Sequence, residues 1–261
     1  MWVRIQNAAA PRDGLPPRHA TARRDARFHL SGALAGGSIA GAIHRMIEIN
    51  RLHFPVTTLG YGRRVGIWTQ GCSIRCPGCV SQDTWEPRAE SAVSVGELLA
   101  SLAPWLAVAA GVTISGGEPF DQPAGLLALL TQLRANFAGD LLVFSGYSRA
   151  VLDARHADVL RLIDVLITEP FVAAAGQTLA LRGSDNQRVF LLTALARQRY
   201  PAKLDTQPWD QRRRLDVVVD GAEVWMAGIP RPGDLGHLRR ELEARGFTSR
   251  GSDQPQPPIR A

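Results

Sequence analysis

The only three cysteines of the chain, Cys72, Cys76 and Cys79, fall within eight positions of the stretch "WTQGCSIRCPGCVSQDTW". Thiols so closely spaced read as metal ligands or redox groups rather than as a disulfide framework. A structural zinc site uses four ligands, often as paired CxxC steps. Here the fourth would have to be a distant histidine, and His44, His53, His156 and His237 show no motif spacing to the cysteines. An iron–sulfur cubane is ordinarily held by four thiolates. Three thiolates hold three irons and leave the fourth open to a substrate or cofactor. The CxxxCxxC spacing therefore points to a 4Fe–4S cluster with one exchangeable corner.

The elements that must position this loop alternate between short apolar runs and helical stretches. Strands are expected at 64–70, 111–117, 140–147 and 164–171. Helices are expected at 94–109 with Ser94 as N-cap, at 122–137, near 149–162 and at 233–247. A β-hairpin turning at Asp220-Gly221 is expected over 215–229. Strand–helix alternation predicts a mostly parallel sheet covered by helices. The roughly 200 residues available fall short of the ~250 of a closed eightfold barrel, so an open, partial TIM-like barrel is expected. In such sheets the chemistry sits at the carboxyl ends of the strands. The cysteine loop, "SGGEP" (115–119) and "FSGY" (144–147) all fall at such ends.

The composition, 45% hydrophobic and 21% charged, is that of an ordinary globular chain. The net charge of +6 comes mostly from residues 1–45, where seven arginines face two aspartates; residues 46–261 are nearly neutral. That balance argues against nucleic acid as a partner, since a phosphate-tracking domain carries its own basic surface. Residues 1–45 are expected to be disordered, or to precede a true start at Met46; 46–248 form the domain, and 249–261 a disordered tail. The apolar segment at 30–43 is too short to span a bilayer, and no membrane role is expected. Clustered thiols suggest a reducing, cytoplasmic setting.

CxxxCxxC after a strand in a parallel α/β chain resembles the radical S-adenosylmethionine (SAM) superfamily. The likeness implies that the methionine end of SAM chelates the open iron. Its reductive cleavage then yields a 5′-deoxyadenosyl radical. "SGGEP" resembles the superfamily's GGE motif, which implies Gly116, Gly117 and Glu118 as part of the SAM site. Glycines suit close backbone approach to a ligand, and a plain tight turn is the other reading. "GYGRR", "CPGC" followed by "DTW", "FSGY", "ITEPFV" and "LRGSDNQR" narrow the likeness to the activating enzymes of anaerobic ribonucleotide reductase, over about residues 47–193.

That resemblance implies a radical SAM oxidoreductase that makes a glycyl radical on a partner enzyme, fed by a one-electron donor such as a flavodoxin. It makes Cys72, Cys76 and Cys79 the cluster ligands and Ser145 and Gly146 neighbours of the nucleoside. No catalytic side chain is expected beyond the cluster. Arg182, Ser184 and Asn186 lie either near the site or in a helix cap. Trp68, Trp85 and Trp105 read as core or cluster-shielding side chains. Tyr61 departs from a proline common in the family, and Val80-Ser81 from an aromatic and an asparagine, which puts partner specificity in question. Two other functions remain open: a radical SAM enzyme acting on a small molecule or peptide, and a non-catalytic iron–sulfur module for electron transfer or sensing.

Overall fold

The computed structural model describes residues 2–7, 45–208, 215–220 and 223–254. Its centre is an open seven-stranded sheet in the order β4-β2-β3-β5-β6-β7-β8. The strands are β2 (Met46–Val56), β3 (Arg64–Thr69), β4 (Ala92–Ser94), β5 (Gly111–Gly116), β6 (Asp140–Phe144), β7 (Val165–Thr168) and β8 (Arg188–Leu191). β3, β5, β6 and β7 run parallel, and the flanking β4, β2 and β8 pair antiparallel. Every residue of β3 and β7 is buried. That is the pattern of strands covered on both faces, and it explains their near-continuous apolar sequence.

Alternation along the strands sorts the two faces. Val65, Ile67, Val112, Ile114, Leu141, Val143 and Leu166 pack into one cluster with helices α1 (Val95–Leu106), α2 (Pro123–Asn136), α3 (Arg149–Arg155) and α4 (Ala157–Leu160). Leu142, Val165 and Ile167 face the other way, against Leu181, Leu204 and Ala196 of α5 (Ala194–Arg199). The expected N-cap at Ser94 is present as a full capping box with Glu97. α2 starts with Pro123 at a position where the missing N–H costs nothing. The stretch expected as one helix near 149–162 is two, broken at His156.

A second, four-stranded antiparallel sheet has the order β11-β1-β10-β9. It comprises β1 (Trp2–Asn7), β9 (Asp216–Asp220), β10 (Glu223–Ala227) and β11 (Phe247–Gly251). β9 and β10 are the expected hairpin; the residues between them, 221 and 222, lie outside the described residues. The closing helix is α6 (Asp234–Ala244). Two expectations are corrected here. Disorder across 1–45 does not hold at Trp2–Asn7, whose backbone pairs with both β10 and β11; residues 8–44 lie outside the described residues. The tail does not begin at 249 either, because Ser249–Gly251 belong to β11. A six-residue strand carries no periodicity long enough to recognise, and its partners are more than two hundred residues away. Among the described residues, no helix is long and apolar enough to cross a membrane.

Candidate functional site

The parallel register aligns the ends of three strands, with Thr69 opposite Gly116 on β3–β5 and Ile114 opposite Val143 on β5–β6. The loops that leave these ends share one cavity of about 580 Å³, within the size range of small-molecule sites. Its walls carry Cys72, Cys76 and Cys79, Gly116, Gly117 and Glu118, and Ser145 and Gly146. All the residues singled out from sequence as cluster or cofactor contacts thus meet in one place.

The cysteine loop is built rigidly. Gly71 N–H donates to Thr84 O at 2.8 Å and Cys72 N–H to Trp85 O at 2.9 Å, closing the loop at its base. Gln70 reaches across it to the carbonyls of Asp83 and Glu86. Ser73, next to Cys72, is tied through both its N–H and its hydroxyl to Asp121, which also accepts from Tyr147. Ser81 N–H donates to Cys79 Sγ at 3.3 Å, and the backbone at Arg75 and Ile74 favours the Cys72 thiolate as that at Phe171 favours the Cys76 thiolate. All three thiols are free. Burial pushes each of them up, Cys79 to about 11. The protein therefore offers the bare thiolates little positive charge, and cluster irons would supply what is missing.

The donor set fits a cubane better than a single ion. Among the described residues, no three His, Cys, Asp or Glu side chains converge to hold one metal ion. A cubane instead takes each sulfur at a different iron. Neither His53, His156 nor His237 lines the cavity, so the zinc alternative gains no histidine as fourth ligand from the described residues.

Glu118 is the second notable group. It is 1% exposed. Its carboxylate accepts from Phe120 N–H (3.0 Å), Ser145 Oγ–H (2.9 Å) and Gly146 N–H (2.7 Å). Desolvation raises its pKa to about 7 against these three donors. Among the described residues it forms no ion pair. Its charge is felt at Cys72 and Cys76. A buried carboxylate beside the thiols, held open by neutral donors, suits the ammonium group of an amino acid.

The glycines also serve the packing of the site. A Cβ at Gly117 would run into the Gly71 carbonyl oxygen, and one at Gly116 into the Thr69 backbone. Gly117 N–H bonds Thr69 O and Glu118 N–H bonds Gly71 O, each at 2.9 Å. Both glycines line the cavity, and the seam between the β5 end and the base of the cysteine loop leaves no room for a Cβ at either.

Arg182, Ser184 and Asn186 do not line the cavity. Arg182 is buried on the carbonyls of Ala180, Gln187 and Leu204, while Ser184 and Asn186 bond the backbone of Val172 and Pro170. They shape the loop whose other members, Glu169, Phe171, Gly183 and Gln187, do reach the wall. Sequence reasoning also missed the far wall, residues 227–233 with Leu235, Gly236, Arg239 and Asp253; nothing local marks it. Ser73, Asp121 and Tyr147 were detectable only as neighbours of the motifs.

An open, mostly parallel α/β sheet with three thiols and a buried carboxylate around one rim cavity defines an iron–sulfur protein that takes a small molecule beside its cluster. The comparisons with known proteins agree. The family model described as "4Fe-4S single cluster domain" matches residues 58–190. The anaerobic ribonucleoside-triphosphate reductase-activating protein of Salmonella typhi is 31% identical over 145 residues, covering 52% of this chain and 94% of the relative. The pyruvate formate-lyase-activating enzyme of Staphylococcus epidermidis is 41% identical over 87 residues, 31% of this chain and 34% of the relative. Escherichia coli QueE superposes with a TM-score of 0.38 at 23% identity over 43% of this chain and 58% of that one, too slight a likeness to bear on the fold. The chain belongs to the 4Fe–4S single-cluster domain family, among the radical SAM glycyl-radical activating enzymes.

Proposed function

We propose that this chain activates a glycyl-radical enzyme, of the anaerobic ribonucleotide reductase kind, through a radical SAM domain. The observation that carries the reading is the cavity on which Cys72, Cys76 and Cys79 meet Glu118, a buried carboxylate with no ion pair among the described residues. When bound, the cluster and SAM supply reductive cleavage of the sulfonium and a 5′-deoxyadenosyl radical that takes a hydrogen atom from a glycine of the partner. Cys72, Cys76 and Cys79 would hold three irons. Glu118 would hold the SAM ammonium, kept in place by Ser145 and Gly146. Those two act through Glu118 first, whatever they also touch on the nucleoside. Trp68, Ile74 and Phe144 line the same cavity and keep water from it.

The fold supports this reading through its asymmetry. Helices α1–α4 cover one face of the sheet, and the cavity opens on the side of Trp68 and Phe144, which pack with the small sheet. A partial TIM-like barrel, with a ligand at the strand ends, suits that asymmetry. A reducing, cytoplasmic setting and a flavodoxin-like one-electron donor suit free thiols and a cluster that must be reduced.

The test is anaerobic reconstitution with iron and sulfide, then SAM and reductant, with and without a glycyl-radical partner. The expected result is 5′-deoxyadenosine and a partner glycyl radical by electron paramagnetic resonance. Replacing any one of the three cysteines with Ala should abolish both. Deoxyadenosine that forms without transfer to any such partner would favour a small-molecule or peptide substrate. A reducible cluster that never cleaves SAM would favour an electron carrier.

A further inference from the structure

Five buried side-chain polar atoms have no hydrogen-bond partner among the described residues: Trp85 Nε1, Thr168 Oγ1, Asn186 Oδ1, Trp225 Nε1 and Ser249 Oγ. Trp85 is the only one of these residues that lines the cavity of the three cysteines. Trp225, by contrast, lies against the His53 ring at 3.9 Å and does not line it. A buried unpaired N–H is costly, so its persistence at a site calls for a partner supplied there.

Two features fix where this donor stands. The Trp85 carbonyl accepts from Cys72 N–H at 2.9 Å, and Trp85 N–H donates to Gln82 O at 3.2 Å, so its backbone is part of the cysteine loop. Trp85 and Cys79 line the same cavity, and the indole favours the Cys79 thiolate, yet it completes no hydrogen bond to the free thiol. Cys79 already accepts from Ser81 N–H at 3.3 Å. A ligated Cys79 thiolate carries more negative charge than a thiol and is the stronger acceptor.

We propose that Trp85 is the donor that sets the reduction potential of the cluster, by an indole N–H hydrogen bond to the Cys79 thiolate. This rests on the cluster reading above. Adding an electron puts negative charge on the cluster sulfurs, and an N–H aimed at one of them stabilises the reduced state more than the oxidised one. The indole would thus do more than exclude water: it would make the cluster easier to reduce by whatever donor serves it.

Trp85→Phe separates the two roles, because it keeps an apolar ring and removes the N–H. In the reconstituted full-length protein the variant should retain its iron. At fixed ambient potential the ratio of reduced to oxidised cluster should fall about tenfold, equal to a midpoint about 59 mV lower for one electron. An iron-replete Trp85→Phe protein with an unchanged midpoint overturns the proposal and leaves a shielding ring. Should the variant fail to take iron, wild-type protein labelled with ¹⁵N at the indoles decides. Pulsed electron paramagnetic resonance of its reduced cluster should show a nitrogen coupling, and absence of that coupling overturns the proposal. If the wild type itself forms no cluster, the functional reading fails and this inference falls with it.

Discussion

Two buried carboxylates stand at opposite ends of the same parallel strands, and their environments are opposites. At the amino end, Asp140 opens β6 and is gripped by Arg64 through paired contacts of 2.7 and 3.1 Å. Arg199 and the Tyr200 hydroxyl add contacts at 3.0 and 2.8 Å. Although burial works against it, these partners hold its pKa below the usual carboxylate range. At the carboxyl end, Glu118 has only neutral donors, and its pKa is raised to about 7. The amino end is complete in itself. The carboxyl end is left short of a positive charge, and the difference divides the sheet into a stabilising end and a working end.

The comparison is broken most forcefully at the amino end. Asp140→Asn leaves the Arg64 guanidinium buried without its counter-charge and should cost about 3–5 kcal/mol in denaturant unfolding. Iron bound per folded molecule should stay the same, since the thiols lie at the other end of the sheet. A loss of iron without a loss of stability would mean that the two ends are not separable.

Glu118→Gln tests the carboxyl end, with smaller cost and opposite sign. The folded pKa of about 7 lies above the reference value of 4.5. The stabilisation linked to its proton is therefore full below 4.5 and lost as pH rises through about 7. Relative to the wild type, the variant should gain on the order of 1–3 kcal/mol between pH 5 and pH 8 in apoprotein unfolding. Its SAM affinity, read from the SAM-induced change in the cluster spectrum, should drop about tenfold or more. Wild-type affinity should weaken as pH falls below about 7, where the carboxylate takes up its proton.

Ser145→Ala removes one donor to the ionised Glu118 and should cost roughly 1 kcal/mol in stability. The pH midpoint of SAM binding should move upward, because the lost hydrogen bond favoured the charged form. An unmoved midpoint would show that Ser145 serves the ligand directly instead. The smallest effect is expected at Arg75→Ala, where the pair with Glu86 at 3.0 Å is 47% and 68% exposed. Loss of an exposed pair changes unfolding by less than about 1 kcal/mol, and cluster loading should not follow it.

The chemistry was legible in the sequence wherever it is local. CxxxCxxC states its own ligand count, and the strand-then-glycine pattern places "SGGEP" and "FSGY" at strand ends. Parallel pairing then brings those ends to one rim. Ser94 announced the start of α1 for the same reason, since an N-cap is a local device, here completed by Glu97 as a capping box. What the sequence could not decide were relations between distant residues. Val80 looked like a departure beside the last cysteine, yet it packs with Met226, Leu235 and Leu238 of the small sheet and α6. The Ser252 hydroxyl donates to Val80 O, and Asp83 N–H donates to Ser252 O, so the chain's far end braces the cysteine loop. The GGE motif marks Glu118, but its burial and its lack of a counter-charge appear only when Ser145 and Gly146, on another strand end, close around it. Ligand identity and spacing are properties of a short segment of chain. Burial, counter-charge and the walls of a cavity are made by surfaces that meet only on folding, and only the tertiary structure decides them.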